Sequence, residues 1–246
     1  MFSQLFAGAG FFLTGMRLIT QPGIRRFALT PLLINIIIFS ALIYFGYQQF
    51  GVLLDSFLPA EDGWFGWLRW VLVPFFFIFV LMITFFTFSI VANIIGAPFN
   101  GMLANAVERH LTGKTAENNS SFKQALANAV PMILSELKKL GYYILISIPF
   151  LVLLFIPVLG QLGWLLVSAW ILTVQYVDFP LDNHDIKFSE LRKRLGKKRM
   201  IAFGFGGSVM FTMAIPIINF FVMPIAVAGA TALAVNHLSL EQKTTD

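Results

Sequence analysis

The chain has 246 residues, of which 58% are hydrophobic and 12% are charged, whereas soluble domains carry roughly 25% charged residues. Its net charge of +5 comes from basic residues in short segments between apolar runs, which argues against nucleic-acid binding. The composition indicates an all-α integral membrane protein, predicted as a single membrane domain over residues 1–246. Four uncharged runs each exceed the roughly 20 residues that cross a bilayer: residues 27–54, 70–107, 140–177 and 200–240.

The first segment, residues 1–21, mixes apolar side chains with glycines and reaches its first charge at Arg17. It is too short and too rich in glycine to span a bilayer securely, so we predict an interfacial helix that ends before Pro22. Residues 22–54 follow as the first transmembrane helix.

A pair of arginines, Arg25 and Arg26, stands at the threshold of that helix. Pro22 suits the first position of a helix, and Gly23 lets a ligand approach the backbone, so free N–H groups beside two guanidinium groups outline an anion site. Position alone favours a simpler interpretation, in which the pair anchors the helix on the cytoplasmic side. A helix that starts at Thr30 would instead place both arginines on the preceding segment.

Amide side chains interrupt the first two spans. Asn35 lies in the middle of the first span, where a polar group faces either a water path or a neighbouring helix to which it is hydrogen-bonded. The second predicted span, residues 70–107, follows a tryptophan-rich acidic loop that is typical of the periplasmic interface. Near its far end, Asn93 belongs to a stretch of small and amide residues that suits close packing or a kink.

Residues 108–139 hold five of the seventeen Lys and Arg residues, and residues 120–139 predict a capped, amphipathic cytoplasmic helix. The two later apolar runs are interrupted by proline and glycine. Arms of about 17 residues would be about 26 Å long, slightly less than a core of about 30 Å. Residues 140–177 and 200–240 are therefore predicted as broken helical hairpins, which are typical of transporter pathways and equally of kinked spanning helices.

The segment between these runs combines opposite charges. Residues 178–185 contain three acids and His184, a grouping that can gate ions or sense pH at a membrane boundary. The basic interfacial segment that follows, residues 186–199, carries seven Lys and Arg residues. This segment is typical of a topology signal and a lipid headgroup anchor.

The sequence lacks the usual signatures of catalysis. There is no cysteine, and the three histidines do not have the spacing of metal ligands. Nucleotide-binding and hydrolase motifs are also missing, so we predict no enzyme activity, no cofactor and no metal.

Three segments form a recognisable combination: Gly15-x6-Pro22-Gly-Ile-Arg25-x5-Pro31-Leu-x-x-Asn35, Tyr176-Val-Asp-Phe-Pro-Leu-Asp-Asn-His184 and Ala226-Val-Ala-Gly-Ala-Thr231. Together they resemble the CysZ family of bacterial inner-membrane sulfate permeases. The resemblance implies sulfate uptake for cysteine biosynthesis. It also implies homo-oligomers and two full transmembrane helices plus two pairs of short, partly penetrating helices. Because nucleotide-binding motifs are missing, we expect transport without ATP hydrolysis, either channel-like or coupled to protons.

The resemblance places the family's sulfate site, a Gly-hydrophobic-Arg motif, on Gly23, Ile24 and Arg25, with Arg26 as a second cation. Sulfate must leave as well as bind, so weaker sites further along the path are expected. The candidates for this pore or gate, with Glu108 and Arg109 as a possible pair, are Asn35, Asn93, Glu108, Arg109, Asn183 and His184.

The expected partners are sulfate, membrane lipids and further copies of the chain. Two other functions compete with sulfate permeation. One is a membrane scaffold or assembly protein whose arginines contact lipid phosphate, although a simple anchor does not require the glycine before the pair. The other is a transporter of a different oxyanion.

Overall fold

The computed structural model describes residues 2–58, 66–114 and 129–240. Within these ranges every regular element is an α-helix, as the composition predicted. The helices are α1 (Phe2–Leu18), α2 (Arg25–Phe57), α3 (Gly66–Thr112), α4 (Ala129–Leu153), α5 (Leu159–Asp182), α6 (Phe188–Gly196), α7 (Arg199–Met213) and α8 (Pro216–His237).

Four segments are long and apolar enough to cross a membrane: Arg25–Phe57, Gly66–Phe88, Leu159–Asp182 and Ile218–His237. The predicted amphipathic helix over residues 120–139 is described only in part. Residues 115–128 lie outside the described residues, and α4 begins at Ala129.

The chain divides into two compact units. The first contains residues Met1–Ala28 and Pro98–Asp246. In it, α1 packs against α7 and α8, α5 packs against the same two helices, and α4 lies along α5. Its core holds side chains that are completely buried, among them Phe205 and Val209 of α7 and Val222 and Leu233 of α8.

Glycines allow the backbone of α1 to contact the backbones of α7 and α8 directly. A Cβ atom on Gly15 would lie 2.6 Å from the amide nitrogen of Gly229, and one on Gly229 would lie 2.6 Å from the carbonyl oxygen of Phe11. Gly8 of α1 and Gly204 of α7 are equally constrained by backbone atoms of the facing helix. This is the small-residue packing that joins helices in membranes. Two of the three glycines that made residues 1–21 unsuited to a secure span, Gly8 and Gly15, therefore form its packing surface.

Each of the two interrupted runs folds as two helices. The chain turns between α4 and α5 at residues 154–158, where Val158 takes a left-handed conformation with φ of 67°, and α8 begins with Pro216 directly after the second break. Other prolines do not end helices: Pro149 lies inside α4 and Pro180 inside α5. Helix α5 thus continues past the predicted boundary at residue 177.

The second unit contains residues Leu29–Ala97, the main parts of α2 and α3. Phenylalanine rings join the two helices, with ring centroids 4.8 Å apart for Phe39 and Phe88 and 6.0 Å apart for Phe50 and Phe76. Arg69 Nη2 lies 2.5 Å from Asp55 Oδ1 and links the helix ends. Most other side chains of both spans are apolar and exposed or half-buried, as expected for helices that contact lipid.

Candidate functional site

The turn that leads into α2 holds the arginine pair. The N–H groups of Ile24 and Arg25 both donate to the carbonyl oxygen of Gln21, at 3.2 and 3.1 Å. Gly23 has a φ of 88°, in the left-handed region that favours glycine. The helix therefore starts at Arg25, between the two starts that the sequence allowed, and Pro31 lies inside it.

This turn separates an apolar anchor from the cations. The Ile24 side chain is 2% exposed and packs in the core of the first unit. Gly23, Arg25 and Arg26 are exposed on the outside. The guanidinium carbon of Arg26 lies 4.8 Å from the ring centroid of Phe27, which restricts its orientation.

The electrostatics of the turn favour a bound anion. The first turn of α2 contains two cations and no acidic residue, although the amino end of a helix already carries partial positive charge. Each such cation lowers the stability of the helix by a few tenths to about 1 kcal/mol relative to a neutral residue. The N–H groups of Arg25 and Phe27 already donate to the carbonyl oxygens of Gln21 and Ile24. An oxyanion placed here would therefore contact mainly the guanidinium groups and would offset their repulsion from the helix end.

A second polar group lies where the carboxyl-terminal part of α3 meets the end of α5. The Asn183 side chain donates to the carbonyl oxygen of Gly101 at 2.9 Å. His184 Nε2 lies 2.9 Å from each carboxylate oxygen of Glu108, whose side chain is 5% exposed. Three of the predicted pore candidates, Glu108, Asn183 and His184, are thus brought together.

Arg109 does not take part in this group. Adjacent residues of a helix point about 100° apart, and Arg109 is exposed while Glu108 is buried. In the described part of the chain the partner of Glu108 is therefore His184, and the suggested pairing of Glu108 with Arg109 is not found.

The sequence analysis missed Asn105. Gly101, Asn105 and Glu108 share one face of α3, because they are separated by four and three residues. The Oδ1 atom of Asn105 is buried and has no hydrogen-bond donor among the described residues. The spacing of these residues, a polar stripe in an otherwise apolar helix end, was the signal that could have identified it.

The remaining candidates lie in the second unit. Asn35 is on α2, and its Oδ1 atom is buried with no donor in the described ranges, as for a group that needs a ligand, water or another partner. Asn93 lies in α3, and its side chain is outside the described part of the structure.

Replacing His184 with alanine should leave the buried Glu108 carboxylate without its partner. An unsatisfied buried group of this kind costs about 1–3 kcal/mol, so the apparent melting temperature in detergent should fall. His110→Ala is the matched control, because His110 is exposed on the same helix end as Glu108 and should leave stability unchanged. The double variant Glu108→Ala, His184→Ala should be destabilised by less than the sum of the two single variants' losses in stability. Additive losses would show that the pair is not coupled.

Comparison with known proteins gives one consistent match. A family model described as sulfate transporter CysZ/etoposide-induced protein 2.4 matches residues 11–224. The sulfate transporter CysZ of Pseudomonas fluorescens is 36% identical over 246 residues, covering 99% of this chain and 98% of the relative. The sulfate transporter CysZ of Vibrio cholerae is 39% identical over 240 residues, covering 96% of this chain and 95% of the relative.

Proposed function

The chain belongs to the sulfate transporter CysZ/etoposide-induced protein 2.4 family, and from this premise we propose that it takes up sulfate across the bacterial inner membrane. Its relatives are bacterial proteins named as transporters. Together with four candidate spans, this makes the chain a multi-pass inner-membrane protein. Supply of sulfate for cysteine biosynthesis is the physiological role that we propose.

The observation that supports a sulfate site most directly is the pair of exposed arginines on the first turn of α2. Sulfate carries two negative charges at neutral pH, and its four oxygens accept hydrogen bonds from guanidinium forks. We assign the two cationic contacts to Arg25 and Arg26.

Gly23 and Ile24 complete the proposed site in different ways. Gly23 holds the left-handed turn and leaves the backbone open to the ion. Ile24 anchors the turn through its buried side chain. Its N–H group donates to the Gln21 carbonyl oxygen and is therefore not a donor to sulfate.

The polar group around Glu108 is our candidate for a later point on the sulfate path. Asn105 and Asn183 offer amide groups that bind an oxyanion weakly, as release requires. Glu108 repels sulfate, and both of its carboxylate oxygens lie within hydrogen-bond distance of His184 Nε2. Asn35, Asn93 and Arg109 remain weaker pore candidates.

We further propose that α2 and α3 are the two full spans and that α4 with α5 and α7 with α8 form partly penetrating hairpins. Of the four arms, α7 supports this arrangement, because its 15 residues extend about 22 Å, less than a hydrocarbon core of about 30 Å. Helices α5 and α8 are long enough to cross a membrane, so the proposal requires part of each to lie outside the hydrocarbon core. Helices α1 and α6 then lie at the interface. Homo-oligomer formation stays a prediction.

Uptake of radiolabelled sulfate into proteoliposomes tests the proposed function. We expect saturable uptake above that of empty vesicles without added ATP. Competition with unlabelled sulfite, thiosulfate and molybdate separates a sulfate transporter from a transporter of another oxyanion. Background uptake by protein that is shown to be folded would favour the scaffold function.

An imposed pH gradient separates the two transport modes. Proton-coupled transport should accelerate several-fold when the outside is more acidic and accumulate sulfate against its gradient. Channel-like transport should only equilibrate sulfate, whichever direction the pH gradient has. The measurement is the plateau level of internal sulfate at equal and at unequal pH.

A further inference from the structure

An aromatic platform lies where α4, α5 and α6 meet. The ring of Tyr142 on α4 contacts the ring of Phe188 on α6 nearly edge-on, with centroids 5.4 Å apart. Trp170 of α5 donates its indole N–H to the Tyr142 hydroxyl oxygen at 3.0 Å. The hydrogen bond and the ring contact fix the platform in one orientation.

A single guanidinium group rests on this platform. The guanidinium carbon of Arg192 lies 4.4 Å from the ring centroid of Tyr142 and 5.3 Å from that of Phe188. Its Nε atom is buried, and no hydrogen-bond acceptor for it exists among the described residues. Stacking on two rings therefore holds the cation in place, and the terminal Nη nitrogens, rather than the buried Nε, are the donors left for a ligand.

Three acids of α4, α5 and α6 are already paired with cations of the chain. Arg194, on the same helix, donates to Glu190 Oε1 at 3.0 Å, and this hydrogen bond lowers the pKa of Glu190. The carboxylates of Glu136 and Asp178 are both paired with Lys139. These acids already have cationic partners, which leaves Arg192 to a ligand from outside the chain.

The outer face of α4 shows what kind of ligand fits. Leu145, one turn after Tyr142, is 69% exposed, and Ile144 and Ile148 are about half exposed beside it. An apolar ladder on a membrane protein contacts acyl chains. The fixed cation and the apolar side chains beyond it match the two parts of a phospholipid. The cation suits the phosphate, and the apolar side chains suit the acyl chains that follow it.

We propose that Arg192, stacked on Tyr142 and Phe188, binds the phosphate of an anionic phospholipid whose acyl chains lie along the exposed face of α4. Two phosphate oxygens accept hydrogen bonds from the guanidinium fork. Free sulfate or phosphate has the same oxyanion chemistry but no hydrocarbon for the apolar ladder.

Lipid binding to the purified full-length protein tests this site. Delipidated protein in neutral detergent is titrated with phosphatidylglycerol or phosphatidylcholine, and bound lipid is counted by native mass spectrometry. We expect clear selectivity for phosphatidylglycerol. Arg192→Gln should weaken that binding roughly fivefold to tenfold, since a charge-assisted contact is lost. The control Lys193→Gln removes the same charge one residue away and should change it less than about twofold.

A further variant and a competition measurement test whether the guanidinium fork and the lipid phosphate are both required. Arg192→Lys keeps the charge but loses the fork and much of the stacking, so it should bind almost as weakly as Arg192→Gln. Inorganic phosphate or sulfate at the same concentration should not displace the lipid from the wild-type protein. Displacement by the free ions would assign the site to a soluble anion and overturn the proposal. Equal losses in Arg192→Gln and Lys193→Gln, or no lipid selectivity in the wild type, would do the same.

Discussion

Sulfate uptake is expected to fall to the level of empty vesicles when Arg25 and Arg26 are both replaced by alanine. Hydrogen bonds to charged groups contribute about 1.5–3 kcal/mol each, so removing both cations should weaken sulfate binding by roughly 100-fold or more. Because both side chains are exposed and repel the amino end of α2, the double variant should fold at least as well as the wild type. Isothermal titration with sulfate and proteoliposome uptake measure the two effects.

Two controls distinguish the loss of the arginine site from the loss of positive surface charge in general. Lys197→Ala removes the exposed cation that directly follows α6 and should leave sulfate affinity within about twofold of the wild type. Replacing Arg25 and Arg26 with lysine keeps both charges but not the forks, so affinity should be intermediate. Unchanged sulfate binding in the double alanine variant would remove the proposed site.

The helical framework could be predicted because it depends on composition and run length. Uncharged runs marked α2 and most of α3, and the proline- and glycine-rich interruptions marked the breaks between α4 and α5 and between α7 and α8. The exact ends could not be predicted, because packing outweighed local signals. Val177 and Leu181 are completely buried, which holds α5 in a helix past Pro180.

The two parts of the candidate site differ in the same way. Arg25 and Arg26 are neighbours in the sequence, so their shared position on one turn followed directly from the motif. His184 and Glu108 are 76 residues apart, and no spacing rule connects them. The spacing of Asn105 from Gly101 and Glu108 places it on their face of α3, but the burial of its Oδ1 atom is visible only once the surrounding side chains are placed.

The contact between α5 and α7 depends on one glycine that the sequence analysis did not single out. A Cβ atom on Gly206 would overlap the carbonyl oxygen of Ala169 and lie 2.5 Å from Thr173 Oγ1. The same hydroxyl lies 2.6 Å from the carbonyl oxygen of Ala202 and so joins the two helices. A single methyl group at position 206 must therefore push α7 away from α5 and break this hydrogen bond.

Gly206→Ala is accordingly expected to destabilise the protein by about 3 kcal/mol, combining overpacking with a lost buried hydrogen bond. For a chain of this size the apparent melting temperature in detergent should fall by roughly 6–12 °C. Gly207→Ala is the matched control, because a Cβ atom there meets nothing within 4 Å and alanine is the better helix former by about 1 kcal/mol. Its melting temperature should equal or exceed that of the wild type. Equal melting temperatures for the two variants would mean that α5 and α7 are not in backbone contact at this glycine.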